Sequence, residues 1–174
     1  TDENGRTALF FSTIDNFPNE VDSDIKLNIA KLLLSRGAKT DIKINWSESI
    51  LCAAINNGYS KVVELFLEFI PNVNFNQEND IPLLHLSVKN CHKEICLMLL
   101  NKGANVNDKQ TDGKTALHIA AECGDKQLVN LLLEHGAEVN SKTECGVTPL
   151  HLASYDYNGV EIIDSLLNFG AYID

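Results

Sequence analysis

With 174 residues, 44% of them hydrophobic, the chain is long enough to bury a substantial core and too apolar to stay disordered. Its formal charge of −10 excludes the basic stripe that nucleic acid or an anionic membrane would need; Lys102, Lys109, Lys114 and Lys126 are interleaved with Asp108, Asp112, Glu122 and Asp125. No apolar run reaches the length of a membrane span and no signal peptide opens the chain, so this segment is expected to make no membrane contact.

Taken in chain order, the predicted elements repeat. A first repeat, about 1–43, opens with TALFFST at Thr7 and carries an insertion near 15–24, in the stretch IDNFPNEVDSD, that is expected to form a loop. It either contacts a partner or is a tolerated solvent-exposed excursion. The second repeat, 44–76, contains SILCAAINNGYSKVVELFLEF from Ser49; the third, 77–109, contains PLLHLSVKNCHKEICLMLLNK from Pro82. The fourth, 110–142, contains TALHIAAECGDKQLVNLLLEH from Thr115; the fifth, 143–174, contains TPLHLASYDYNGVEIIDSLLNF from Thr148. Ser49, Pro82, Thr115 and Thr148 are 33 residues apart, and self-similarity at such a period signals a stack of one supersecondary unit.

The fourth repeat shows the unit most clearly. Ala116, Leu117, Ala120 and Ala121 recur at helical spacing, and their small size lets neighbouring helices approach. Cys123-Gly124 ends that helix, and Asp125 is expected to cap the next, as Ser60 is in the second repeat. Leu128, Val129, Leu131, Leu132 and Leu133 supply the buried stripe of the second helix, which Gly136 stops. An extended loop follows, in which Asn74, Asn107 and Asn140 read as turn residues. Pro71, and Cys91 where glycine is expected, mark local irregularities around the second and third repeats.

The strings D-G-K-T-A-L-H-I-A-A-x-x-G at 112–124, L-V-x-L-L-L-x-x-G-A-x-V-N at 128–140 and G-V-T-P-L-H-L-A at 146–153 resemble the ankyrin repeat family. The resemblance covers essentially the whole chain, closely in the fourth and fifth repeats and loosely in the first and second. It implies an all-α solenoid of about five helix-turn-helix units, with β-hairpin-like loops projecting toward a concave side. It also implies protein–protein recognition without catalysis. Both ends fall at repeat boundaries, and the last helix (Ile162, Ile163, Leu166, Leu167, Phe169) lacks the polar face of a capping repeat. The segment is therefore expected to belong to a longer array.

His85, His118 and His151 occupy one position in successive repeats. Helices stacked roughly 8–10 Å apart cannot bring three such side chains to one zinc ion, which needs nitrogens at about 2 Å. The resemblance implies that each imidazole ties its helix to a neighbouring loop. The five cysteines, at 52, 91, 96, 123 and 145, are odd in number and lack C-x-x-C spacing, which predicts reduced thiols in a cytoplasmic or nuclear protein. Cys123 and Cys145 are expected near one repeat junction, without a third ligand. No cofactor or metal is expected. No nucleophile–base pair or phosphate loop points to an enzyme.

Recognition is expected of the loop and first-helix positions that do not repeat: Arg6, Asn45, Trp46, Glu48, Asn56, Glu78, Asn79, Ile81, Lys89, Asp112, Lys114, Glu122, Glu144, Val147, Tyr155 and Asp156. Trp46, the sole tryptophan, is either a loop-tip anchor or packs on the insertion at Phe17 or Pro18. The expected partner is another protein of mixed or basic surface with apolar anchors, not nucleic acid, membrane or a small-molecule substrate. The alternative is a substrate-recruiting or spacer segment of a larger enzyme, channel or toxin. Twelve lysines against two arginines, with nineteen asparagines, fit an A/T-rich genome and hence a host-directed viral or bacterial interaction protein.

Overall fold

A computed structural model describes residues 7–13, 20–38, 43–44, 48–74, 81–155 and 159–173, with the backbone alone at 20–24, 43–44 and 48. The chain divides into two compact units, Thr1–Val73 and Asn74–Asp174. Among the described residues no helix is long and apolar enough to cross a membrane.

The N-terminal unit contains α1 (Ala8–Thr13), α2 (Glu20–Ser35), the two-residue strands β1 (Lys43–Ile44) and β2 (Glu48–Ser49), α3 (Ile50–Asn56) and α4 (Ser60–Phe69). The strands pair antiparallel, Lys43 opposite Ser49 and Ile44 opposite Glu48, and so form a β-hairpin ahead of α3. Ser49 leaves the hairpin and caps α3 by accepting the Cys52 N–H at 3.2 Å. Helix α1 packs on α2 and α3 on α4, while α1–α3 and α2–α4 contacts stack the pairs. Leu9, Ala30, Leu34, Ile50, Ile55, Val62, Val63 and Phe66 form the core. Buried Ser12 and Thr13 are satisfied locally, each donating its hydroxyl to the Leu9 carbonyl, at 2.9 and 2.7 Å.

Two expectations are corrected here. The insertion near 15–24 is not loop throughout, because α2 already begins at Glu20. Ser60 does not cap α4: it is the first helical residue, and Tyr59 holds the cap position without a side-chain capping bond. The equivalent of Asp125 is Tyr59, one residue earlier than the serine.

The C-terminal unit contains α5 (Leu83–Lys89), α6 (Lys93–Asn101), α7 (Ala116–Glu122), α8 (Lys126–Glu134), α9 (Pro149–Ala153) and α10 (Gly159–Asn168). Each odd-numbered helix packs on the next, and two rows run across the pairs: α5–α7–α9 and α6–α8–α10. Ala116, Ala120 and Ala121 are fully buried in the first row, where their missing side-chain volume permits close approach. Leu99, Leu128, Leu132, Ile162 and Leu166 fill the second row and the space between. Burying each such side chain stabilises by about 2 kcal/mol. Asp125 caps α8 as expected, accepting the Gln127 and Leu128 N–H groups at 2.9 and 3.0 Å. Buried Cys96 donates to Ser87 Oγ at 3.1 Å, and burial pushes its thiol up to about 11.

Candidate recognition surface

The loops of the C-terminal unit are held from both sides. Asn74 donates to the Gly103 carbonyl at 2.8 Å and accepts the Asn105 N–H at 2.8 Å. Asn107 repeats this with Gly136 and Glu138, and Asn140 with Gly170 and Tyr172. The loop asparagines are therefore clamps onto the backbone of the following repeat, where sequence reading gave them a local turn role. Each loop then folds back tightly: Gln110 N–H bonds Lys114 O at 2.9 Å, and Thr143 N–H bonds Val147 O at 3.0 Å. The tips touch, since Glu144 N–H donates to Asp112 O at 3.1 Å. Gly113 permits that contact twice over: its φ is +80°, and a Cβ there would lie 2.9 Å from Glu144 N.

The histidines brace the loops from beneath. His118 Nδ1 lies 3.2 Å from Thr115 N and 2.8 Å from Thr115 Oγ1, while Nε2 lies 3.1 Å from Val147 O. An amide N–H must donate and a carbonyl must accept, so these partners assign the proton to Nε2. His85 Nε2 likewise reaches Lys114 O at 3.2 Å, but its buried Nδ1 has no partner. Pro82 stands where Thr115 does in the next repeat, and proline has neither N–H nor hydroxyl to offer. Among the described residues no group of three or more His, Cys, Asp or Glu side chains could hold a metal ion.

Burial pushes both imidazoles below the ordinary histidine range, and the carbonyls of Lys114 and Val147 oppose that shift only partly. In the unfolded chain both return to about 6.5. Below that value the unfolded state binds protons that the folded state refuses, so stability is complete above it and declines as pH falls. The unfolding free energy from urea titrations should be level from about pH 8 to 7 and then fall toward pH 5, by at most ~1.4 kcal/mol per pH unit for each histidine, with the midpoint following it. A midpoint rising over the acid half of that range would contradict the assignment.

On this frame the non-repeating positions form two registers. Ile81, Lys114 and Val147 precede α5, α7 and α9 at 33-residue intervals, and all three are half-buried. Lys89 and Glu122 end α5 and α7, and Tyr155 follows α9. These three are exposed, Tyr155 by 87%. Asp112 and Glu144 are exposed at the loop tips. Lys114 and Glu122 are bonded to each other at 2.8 Å, which raises the lysine pKa and joins loop to helix. Sequence reading named both residues without foreseeing the pair. In the N-terminal unit, Asn56 is exposed at the end of α3 and Glu48 lies in β2. Arg6, Asn45, Trp46, Glu78, Asn79 and Asp156 lie outside the described residues, as do Phe17 and Pro18.

Burial pushes the Cys123 thiol up, and Cys91, at the turn after α5, adds to that shift. The register 33 residues apart aligns Cys123 with Asn90, next to Cys91.

The family profile described as ankyrin repeats in three copies matches residues 20–110 and again 103–174. No curated protein matches the chain.

Proposed function

Because the chain belongs to the ankyrin repeat family, whose members are in general protein–protein interaction modules, we propose that it is a scaffold gripping a partner protein through the loop and first-helix side of its C-terminal unit. The reading takes each helix pair as one repeat, five in all. One observation carries it: residues shared between repeats are spent on the frame, while the registers Ile81–Lys114–Val147 and Lys89–Glu122–Tyr155 change chemistry at each step and remain accessible.

Tyr155 is the natural anchor, offering a large apolar ring and a hydroxyl at little cost in conformational freedom. Val147 and Ile81 add apolar contact. The Lys114–Glu122 pair neutralises its own charges, which leaves Asp112 and Glu144 as the acidic groups of the loop tips. The complementary partner carries basic groups spaced around an apolar recess. We place the interaction in the cytoplasm or nucleus, on the strength of the odd and scattered cysteines.

The test is capture of partners by the immobilised chain beside a Tyr155→Ala/Val147→Ala variant matched for helicity. Loss of the hot spot should weaken the captured complex at least about tenfold. Equal retention by both proteins would move recognition to another face. Absence of any saturable partner would favour the spacer reading.

A further inference from the structure

We propose that the chain associates with itself head to tail, the first repeat of one copy stacking on the fifth repeat of a second through the kind of face that joins repeats within each unit. This contact follows from the repeat register alone and is independent of the loop surface proposed for a partner protein.

Each face is recognised by what other repeats do at the same positions. Ile29 is 47% exposed and Leu32 56%, three residues apart on α2. At the same places 33 residues on, Val62 and Leu65 are buried on α4, which has α2 packed beside it. In the C-terminal unit, Leu128 and Leu131 hold these positions on α8, which packs on α6 before it, and both are buried. Ile162 continues the register on α10, which packs on α8, and is buried too. Ile29 and Leu32 therefore mark the side of a repeat that takes a preceding neighbour, and on the first repeat that side is exposed.

The opposite side is uncovered on the fifth repeat. Cys96 and Leu100 on α6, and Val129 and Leu133 on α8, are buried where a further helix pair follows. Their counterparts on α10, Ile163 and Leu167, are only half-buried. Leu150 on α9 is half-buried as well, whereas Leu84 and Leu117 at its position are enclosed. The contrast is widest in the loop, where Val106 is 8% exposed and its counterpart Ile173 is 80%. The rows α5–α7–α9 and α6–α8–α10 thus end on an apolar face. In the junctions within each unit, the complement of that face is a helix pair presenting residues at the Ile29 and Leu32 positions, and a second copy carries such a pair uncovered. Removing these side chains from water supplies the attraction. The contact joins unlike faces, so a dimer keeps one uncovered face of each kind and can add further copies.

Sedimentation velocity on the 174-residue chain should show an average mass that rises with concentration beyond that of a dimer. High salt should leave the association intact or tighten it, because the contact is apolar and the net charge of −10 makes copies repel one another. Ile29→Glu and Ile173→Glu each place a charge at an exposed position, so both variants should fold, as circular dichroism would verify. Each alone should associate at least about tenfold more weakly than the parent, since stacking would bury the new carboxylate. Mixed in equal amounts, the two should pair with the parent affinity and stop at a one-to-one dimer. The Ile29 variant keeps its fifth-repeat face, and the Ile173 variant keeps its first-repeat face. A monomer at every concentration would overturn the proposal and leave both faces to a different occupant. Association that either variant retains in full, or that salt abolishes, would do the same, as would two variants that fail to combine.

Discussion

Replacing His118 with alanine is expected to lower the unfolding free energy of the C-terminal unit by about 3 kcal/mol. The imidazole is fully buried and engages three groups: the N–H and hydroxyl of Thr115, itself buried, and the carbonyl of Val147. Alanine removes all three partners and leaves a void between α7 and the loop that carries Val147. Unpaired buried donors cost their desolvation in full, and that sum exceeds the loss of the ring's packing alone. His85 provides the internal control. It is equally enclosed, but its ring bonds through Nε2 alone, to the Lys114 carbonyl, because Pro82 offers Nδ1 nothing. His85→Ala should therefore cost less, roughly 1–2 kcal/mol. Urea titrations of both variants decide the matter; the reverse ranking would refute the bracing role assigned to His118.

Gly159→Ala should be nearly as damaging, at about 3 kcal/mol, and in the direction opposite to helix propensity. On propensity alone an alanine in α10 would add up to ~1 kcal/mol. Gly159 opens that helix against the end of α9, however, and a Cβ there would collide with the Ala153 carbonyl oxygen and approach its carbon to 3.1 Å. Both are backbone atoms of a fully buried residue, so no side-chain rotation relieves the overlap. The two helices must separate or α10 must lose its first turn. Thermal unfolding monitored by circular dichroism should show a fall of roughly 10 °C. A melting temperature at or above that of the parent would mean that the turn yields easily.

Periodicity made the frame legible in the sequence. Alanines at 116, 120 and 121, and leucines at 128 and 132, are buried where their spacing required. What stayed hidden depends on partners that lie from eight residues to about one repeat away. Nothing local to Asn107 distinguishes a turn residue from a clamp on Gly136 and Glu138. Nothing local to Lys114 reveals that Glu122 neutralises it. The slip at Ser60 has a different origin: a good capping residue one position late is still one position late, and the helix starts without it. The insertion near 15–24 read as a loop, yet the backbone is already helical from Glu20.

The asparagine clamps carry a kinetic consequence. The side-chain bonds joining successive repeats of the C-terminal unit connect residues 29 to 35 apart, from His85–Lys114 to Lys126–Glu161. The search for each contact therefore closes a loop of nearly constant size, whatever the number of repeats in the array. Loop-closure entropy grows with the logarithm of loop length, so every added repeat meets the same barrier as the one before. Relative contact order falls as such a chain lengthens, and the rate at which each interface zips onto its neighbour does not.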